Sequence, residues 1–204
     1  MRPLPLRIAL LTCWLLAVGT GFAVILNYQN AAGESGIAPA QWPEGTQLAR
    51  DSGRDTLVMF AHPHCPCTRA SLGELNRLLA RSRGKVAAQV WFFKPASESS
   101  DWTSTDLWRS AASMPGVQIF VDVDGLQALR FGAKTSGSVL LYDTQGRLLF
   151  SGGITGGRGH AGDNAGESTL ISLLDGKGAG SRQTPVYGCS LLGECPIADT
   201  EARK

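Results

Sequence analysis

At 204 residues, with 43% apolar side chains, the chain can fill the core of one ordinary domain and carry an appendage, but two full domains would be cramped. The formal charge is only +2, from 19 basic and 17 acidic residues spread along the chain, so no field exists to hold a phosphate backbone and nucleic acid is not expected as a partner.

The chain opens on an uncharged run, Ile8 to Leu26, preceded by Arg2 and Arg7 and followed by Asn27, Gln29 and Asn30. At roughly 1.5 Å rise per residue, such a run covers most of a ~30 Å hydrocarbon layer. The nearest Ala-x-Ala, Ala38-Pro39-Ala40, lies well downstream, so residues 1–30 read as an uncleaved single-pass anchor, not a cleaved signal peptide. Cys13 falls too early in the run for a lipoprotein signal. No amphipathic face can be drawn through the run, which argues against a buried core helix. With the basic residues ahead of it, the N-terminus is expected in the cytoplasm and the rest outside. In a Gram-negative cell this places the chain in the inner membrane through residues 8–26, with its domain facing the periplasm.

Residues 31–44, rich in Ala, Gly, Pro and polar side chains, read as a linker, 45–176 as the folded domain, and 177–204 as a flexible cysteine-bearing tail. Within the domain, Thr56 to Phe60 is a short apolar run typical of a buried strand, and it ends directly at His62-Pro63-His64-Cys65-Pro66-Cys67. From Pro66 to Arg83, Leu72, Leu75, Leu78 and Leu79 recur at helical spacing, Pro66 suits the first helical position, and Gly84 is the stop. Val86 to Phe93 predicts a second strand, 96–105 a loop, Thr105 to Ser113 a short helix, Val117 to Val121 a third strand and Leu126 to Phe131 a helical segment. Val139 to Tyr142 and Leu148 to Phe150 form a hairpin around Asp143-Thr144-Gln145-Gly146, and a glycine-rich loop, 152–162, leads to a last helix from Glu167 to Leu174. This order predicts an α/β sandwich on a mixed sheet.

Apart from Cys13, four cysteines remain: Cys65, Cys67, Cys189 and Cys195. Two close pairs in an exported domain point to redox or metal chemistry more than to a staple scaffold. A cysteine at a helix N-terminus faces unpaired N–H groups and the positive end of the helix dipole, which favour the thiolate. Cys65 is expected to feel this most, with His64 beside it and Arg69 in the same first turn. A bond between Cys65 and Cys67 would close a small strained ring, and a strained disulfide exchanges easily. Alternatively Cys189 or Cys195 can resolve Cys65, or those two can form a plain structural bridge. His62, His64, Cys65 and Cys67 together also offer imidazole and thiolate to copper(I) or zinc, so a copper-binding or copper-delivery protein is the competing reading. The redox reading requires no cofactor. The loop Gly156-Gly157-Arg158-Gly159-His160 lacks the Lys-Ser/Thr ending of a phosphate-binding loop.

The cysteines at the end of an early strand and the start of the next helix resemble the thioredoxin fold, a three-layer sandwich, over roughly residues 45–176. The anchor, the Phe60 to Cys67 junction and the Val139 to Phe150 hairpin are similar to tethered redoxins of the cytochrome-c-maturation type. His-Pro-His-Cys-Pro-Cys-Thr, Ser-Gly-Gly-Ile-Thr-Gly and Gly-His-Ala-Gly-Asp-Asn-Ala-Gly resemble the RedB group more closely. The resemblance implies a thiol-disulfide oxidoreductase with Cys65, Cys67 and His64 as catalytic residues and an exported or membrane redox protein as partner. In that topology the loop after the hairpin lies at the cysteine end, which implies that Arg158 and His160 approach Cys65. Two departures stand out. One residue, Pro66, separates the cysteines where thioredoxins have two, leaving Thr68 where the second cysteine would fall. Thr135-Ser136-Gly137 also stands where thioredoxins carry a cis-proline. The Cys-x-Cys-Thr stretch further resembles peroxiredoxins, with different spacing, which implies a thiol peroxidase as another alternative.

Overall fold

The apolar run near the N-terminus folds as one helix, α1 (Leu4–Asn30), in the computed structural model, which describes residues 4–178 and 181–192. The stretch Pro5–Asn30 has a mean hydropathy of 2.2 and is long and apolar enough to cross a membrane. Its Thr12 hydroxyl donates back to the Ile8 carbonyl at 3.0 Å, satisfying the polar group within the helix. Residues Met1–Ala31 form one unit and the chain from Ala32 onward forms another.

The second unit contains β1 (Asp55–Ala61), α2 (Thr68–Ser82), β2 (Val86–Lys94), α3 (Asp106–Ala112), β3 (Val117–Val123), α4 (Leu126–Arg130), β4 (Ser138–Tyr142), β5 (Leu148–Gly152) and α5 (Ala165–Leu174). The strands lie in the order β3-β2-β1-β4-β5. β1, β2 and β3 are parallel, while β4 runs antiparallel to β1 and β5 antiparallel to β4. The architecture is the expected α/β, thioredoxin-like sandwich on a mixed sheet.

The central strand explains its own position. Side chains along a strand alternate between faces, and β1 is apolar on both. Leu57 and Met59 pack with Leu72, Leu75 and Leu78 of α2, Leu107 of α3 and Leu170 of α5. Val58 and Phe60 belong to a second cluster with Trp91, Leu140, Tyr142, Ala128 and Phe131. A strand covered on both faces suits the middle of the sheet, between parallel β2 and antiparallel β4. From β1 the chain adds β2 and β3 on one side, then β4 and β5 on the other. The carboxyl end of β1 is therefore a topological switch point, where open α/β sheets place their sites.

Three expectations are corrected. Helix α2 begins at Thr68 and not at Pro66, with Cys67 as its N-cap, because the chain leaves β1 through successive turns before the regular helix starts. Residues expected to form a free linker lie along the domain: Gly33 N–H donates to Val186 O at 2.8 Å, Trp42 N–H to Gly146 O at 2.8 Å, and Tyr142 hydroxyl to Pro39 O at 3.0 Å. Trp42 also sets its ring edge-on against Phe131 and Tyr142, each 5.1 Å away. The tail, expected to be flexible from 177, docks over 181–192. Gln183 pairs parallel with Ser151 beside β5, Ser190 pairs antiparallel with Thr135, and Leu191 is buried in the second apolar cluster. These pairings use backbone groups that an edge strand and a loop would otherwise leave open. Within the loop 96–105 the structure adds a short 3-10 turn, Ser100–Thr103.

Candidate active site

Between β1 and α2 the backbone winds through a series of tight turns. Cys65 N–H donates to His62 O at 3.1 Å, Thr68 N–H to Cys65 O at 3.0 Å, and Ala70 N–H to Cys67 O at 3.2 Å. The winding turns both cysteine side chains inward, so that Cys65 is fully buried and Cys67 nearly so, while Pro66 between them faces solvent. A third sulfur joins them, since Cys65, Cys67 and Cys189 form a buried cluster of their own. Cys189 N–H donates to Cys65 Sγ at 3.4 Å.

The thiol of Cys65 is held far below the ordinary cysteine range. The leading cause is a hydrogen bond from the Cys189 side chain, followed by one from Cys67. Burial opposes ionisation, and the Cys189 backbone amide and the Thr68 hydroxyl favour it again. Cys65 stands three residues ahead of Thr68, the first residue of α2, and the donors that favour its thiolate converge on it from the tail and the neighbouring turn.

Ser136 stands beside this cluster, with every described peptide bond trans. Its hydroxyl accepts from His62 N–H at 2.8 Å and shares a 2.7 Å hydrogen bond with Thr68. Gly137, at φ 92°, donates its N–H to Phe60 O at 2.8 Å and closes the loop onto the end of β1. Ser136 and Gly137 therefore brace the junction that carries the cysteines.

The two histidines of the motif separate. His62 is only 3% exposed, stacked on Phe93 at 5.5 Å and edge-on to Trp102 at 5.3 Å. Burial lowers its pKa to about 4, against a raising influence of Cys65 and with a further lowering one from His64. The neutral ring accepts from His64 N–H at Nδ1, 3.2 Å away. His64 is exposed, with Nε2 2.9 Å from Trp102 O. Among the described residues no group of three or more His, Cys, Asp or Glu side chains is arranged to hold a metal ion. In the set His62, His64, Cys65 and Cys67, each imidazole has one ring nitrogen engaged with the protein.

Of the remaining candidates, Arg69 is exposed and pairs with Asp106. Arg158 donates through Nη1 to Gly188 O at 2.6 Å and so reaches the cluster through the residue before Cys189. His160 is exposed, with Nδ1 3.1 Å from Arg158 O within its own loop. The glycine loop is itself anchored, because buried Glu74 of α2 accepts from Gly162 N–H as well as from Arg77. Cys195 lies outside the described residues. Trp102 and Phe93, which wall His62, carry no sequence signal: an aromatic near the end of an apolar strand and another in a polar loop become neighbours only when the loop folds back.

No family model and no curated protein matches the chain. Among solved structures it resembles a hypothetical protein from Sinorhizobium meliloti 1021, at 19% identity over 82% of this chain and 98% of that one, with a TM-score of 0.58. An uncharacterised conserved protein from Geobacillus kaustophilus is similar at 18% identity, over 81% and 93% of the two chains, with a TM-score of 0.57. A pneumococcal exposed lipoprotein thioredoxin from Streptococcus pneumoniae aligns at 14% identity over 61% and 86%, with a TM-score of 0.45. At such identities, the likeness to the first two structures is one of fold.

Proposed function

We propose that this protein is a thiol-disulfide oxidoreductase, tethered by residues 8–26 to the inner membrane with its domain in the periplasm, and related to the RedB redoxins. The observation that carries the reading is the buried cluster of Cys65, Cys67 and Cys189, in which neighbouring donors favour the Cys65 thiolate. A thiolate with stabilising donors and a second thiol in reach is the minimum apparatus for exchange. Cys65 attacks one sulfur of a partner disulfide, forming a mixed disulfide as the other partner sulfur leaves as a thiolate. A second cysteine of this chain then attacks Cys65 Sγ. Its bond to Cys65 forms, the mixed disulfide breaks, and the partner departs with both sulfurs reduced while this chain carries the new disulfide. Run backwards, the same steps oxidise a partner dithiol. Cys189 suits the second step better than Cys67, since it approaches on a separate segment and closes no small ring through Pro66.

The test uses the full-length protein in detergent with an aromatic model disulfide as substrate. Cys65→Ser is expected to abolish exchange, and Cys189→Ser to accumulate a mixed disulfide on Cys65. Peptide mapping of the oxidised parent should recover the Cys65–Cys189 linkage. An unreactive Cys65 beside a stable Cys189–Cys195 bridge would sink the reading.

A further inference from the structure

Cys65 is fully buried, and the tail is part of what buries it. Residues 188–191 lie antiparallel against 134–136. Ser136 N–H donates to Cys189 O and Leu191 N–H to Lys134 O, both at 2.9 Å, around the paired Thr135 and Ser190. The approach is so close that a Cβ on Gly188 would collide with the Ser136 carbonyl oxygen. Arg158 grips the segment from the loop after β5 through Gly188 O. The side chains of 186–191 are all uncharged, and backbone pairing, Arg158, the apolar seat of Leu191 and the Cys189 hydrogen bond to Cys65 Sγ hold the segment in place. Exchange, in contrast, requires a partner sulfur to reach Cys65 in line with the bond being broken. The seated segment covers the sulfur that a partner has to reach.

We propose that residues 186–191 are an internal strand that occupies a docking slot over Cys65 and has to lift before a partner polypeptide reaches the sulfur, with Arg158 as the positioning residue that keeps it seated. The chemistry of the slot describes the partner. Ser136 N–H and Lys134 C=O present backbone groups to an antiparallel strand, so the incoming chain is extended and adds to them as a strand does. Its sulfur takes the place of Cys189, and its preceding residue is small, because the Gly188 position leaves no room against Ser136. The Thr135 hydroxyl is already donated to Glu34 O at 2.9 Å, so recognition there is through backbone and tolerant of partner sequence.

This inference rests on the exchange reading for its purpose, though not for its test. The reduced full-length protein in detergent is alkylated with iodoacetamide at pH 9.5, where an ordinary thiol is mostly ionised and the rate reports access. Each cysteine is followed by peptide mass analysis. Arg158→Ala and Gly188→Ala are expected to raise the Cys65 rate at least tenfold and to speed hydrogen exchange at the 188–191 amides, with Arg158→Lys restoring slow labelling. Folding of each variant is checked by circular dichroism, and the Arg158→Ala and Arg158→Lys pair decides the matter if Gly188→Ala does not fold. Cys65 rates within twofold of the parent in folded variants would overturn the proposal, as would a parent Cys65 that labels as fast as in denaturant. Acceleration without any exchange on a model disulfide would overturn the exchange reading and leave the strand standing; exchange without acceleration would overturn the strand alone.

Discussion

The two sides of the sulfur cluster are built differently. On one side the β1–α2 junction delivers Cys65 and Cys67 by local means: an apolar strand buried in the middle of the sheet, a proline-punctuated turn and the start of an amphipathic helix. On the other, Cys189 arrives from 124 residues along the chain, held by backbone pairing with 134–136 and by Arg158. The local side fixes where the Cys65 sulfur sits. The distant side adds donors that favour its ionisation, the Cys189 side chain first among them, beside Cys67 and Thr68 from the local side. Position is set locally, and ionisation draws on both parts of the molecule.

The sharpest way to break this division is to remove each neighbouring sulfur in turn. Cys189→Ala is expected to move the ionisation midpoint of Cys65 up toward the ~8.5 of a free thiol, and by more than Cys67→Ala does. Thiolate ultraviolet absorbance against pH, read with the remaining cysteines subtracted, makes the comparison. An equal or larger effect of Cys67→Ala would return control of ionisation to the local side.

A smaller effect concerns stability. His62 has its pKa lowered to about 4 from an ordinary 6.5, because burial disfavours the charged ring. Since the folded value is the depressed one, its contribution is complete above about pH 6.5, is lost as the pH falls toward 4, and loses nothing further below. The full loss is on the order of 3 kcal/mol. Urea unfolding at pH 7 and pH 4 should therefore show a steeper decline for the parent than for His62→Asn, which has no proton to take up. Parallel declines would mean that the ring is not held neutral by burial.

Least of all should depend on Arg69. Its guanidinium pairs with Asp106 at the surface, where ion pairs contribute little. Arg69→Ala is expected to leave both the Cys65 titration and the melting temperature unchanged. A clear upward movement of the Cys65 midpoint in that variant would restore a role for the first turn of α2.

Taken by itself, the sequence determined what depends on neighbours along the chain. Hydropathy marks α1, a short continuous apolar run marks β1, leucine spacing marks α2, and the Asp143 to Gly146 turn marks the hairpin. From these the mixed sheet and the motif at the end of its first strand follow, because strand and helix periodicities are local properties of residue order. Boundaries move by a residue or two, and α2 starts late because turn bonds compete with helix bonds around Pro66. Only the tertiary structure decided the rest. Segment 32–44 and tail 181–192 carry the glycine, proline and polar composition of linkers, yet both find open backbone groups on the domain. Local composition does not reveal which distant N–H or carbonyl lacks a partner. The arrival of Cys189 at Cys65, the seating of His62 between Phe93 and Trp102, and the grip of Arg158 on Gly188 all depend on such long-range pairings, and so does the chemistry of the site.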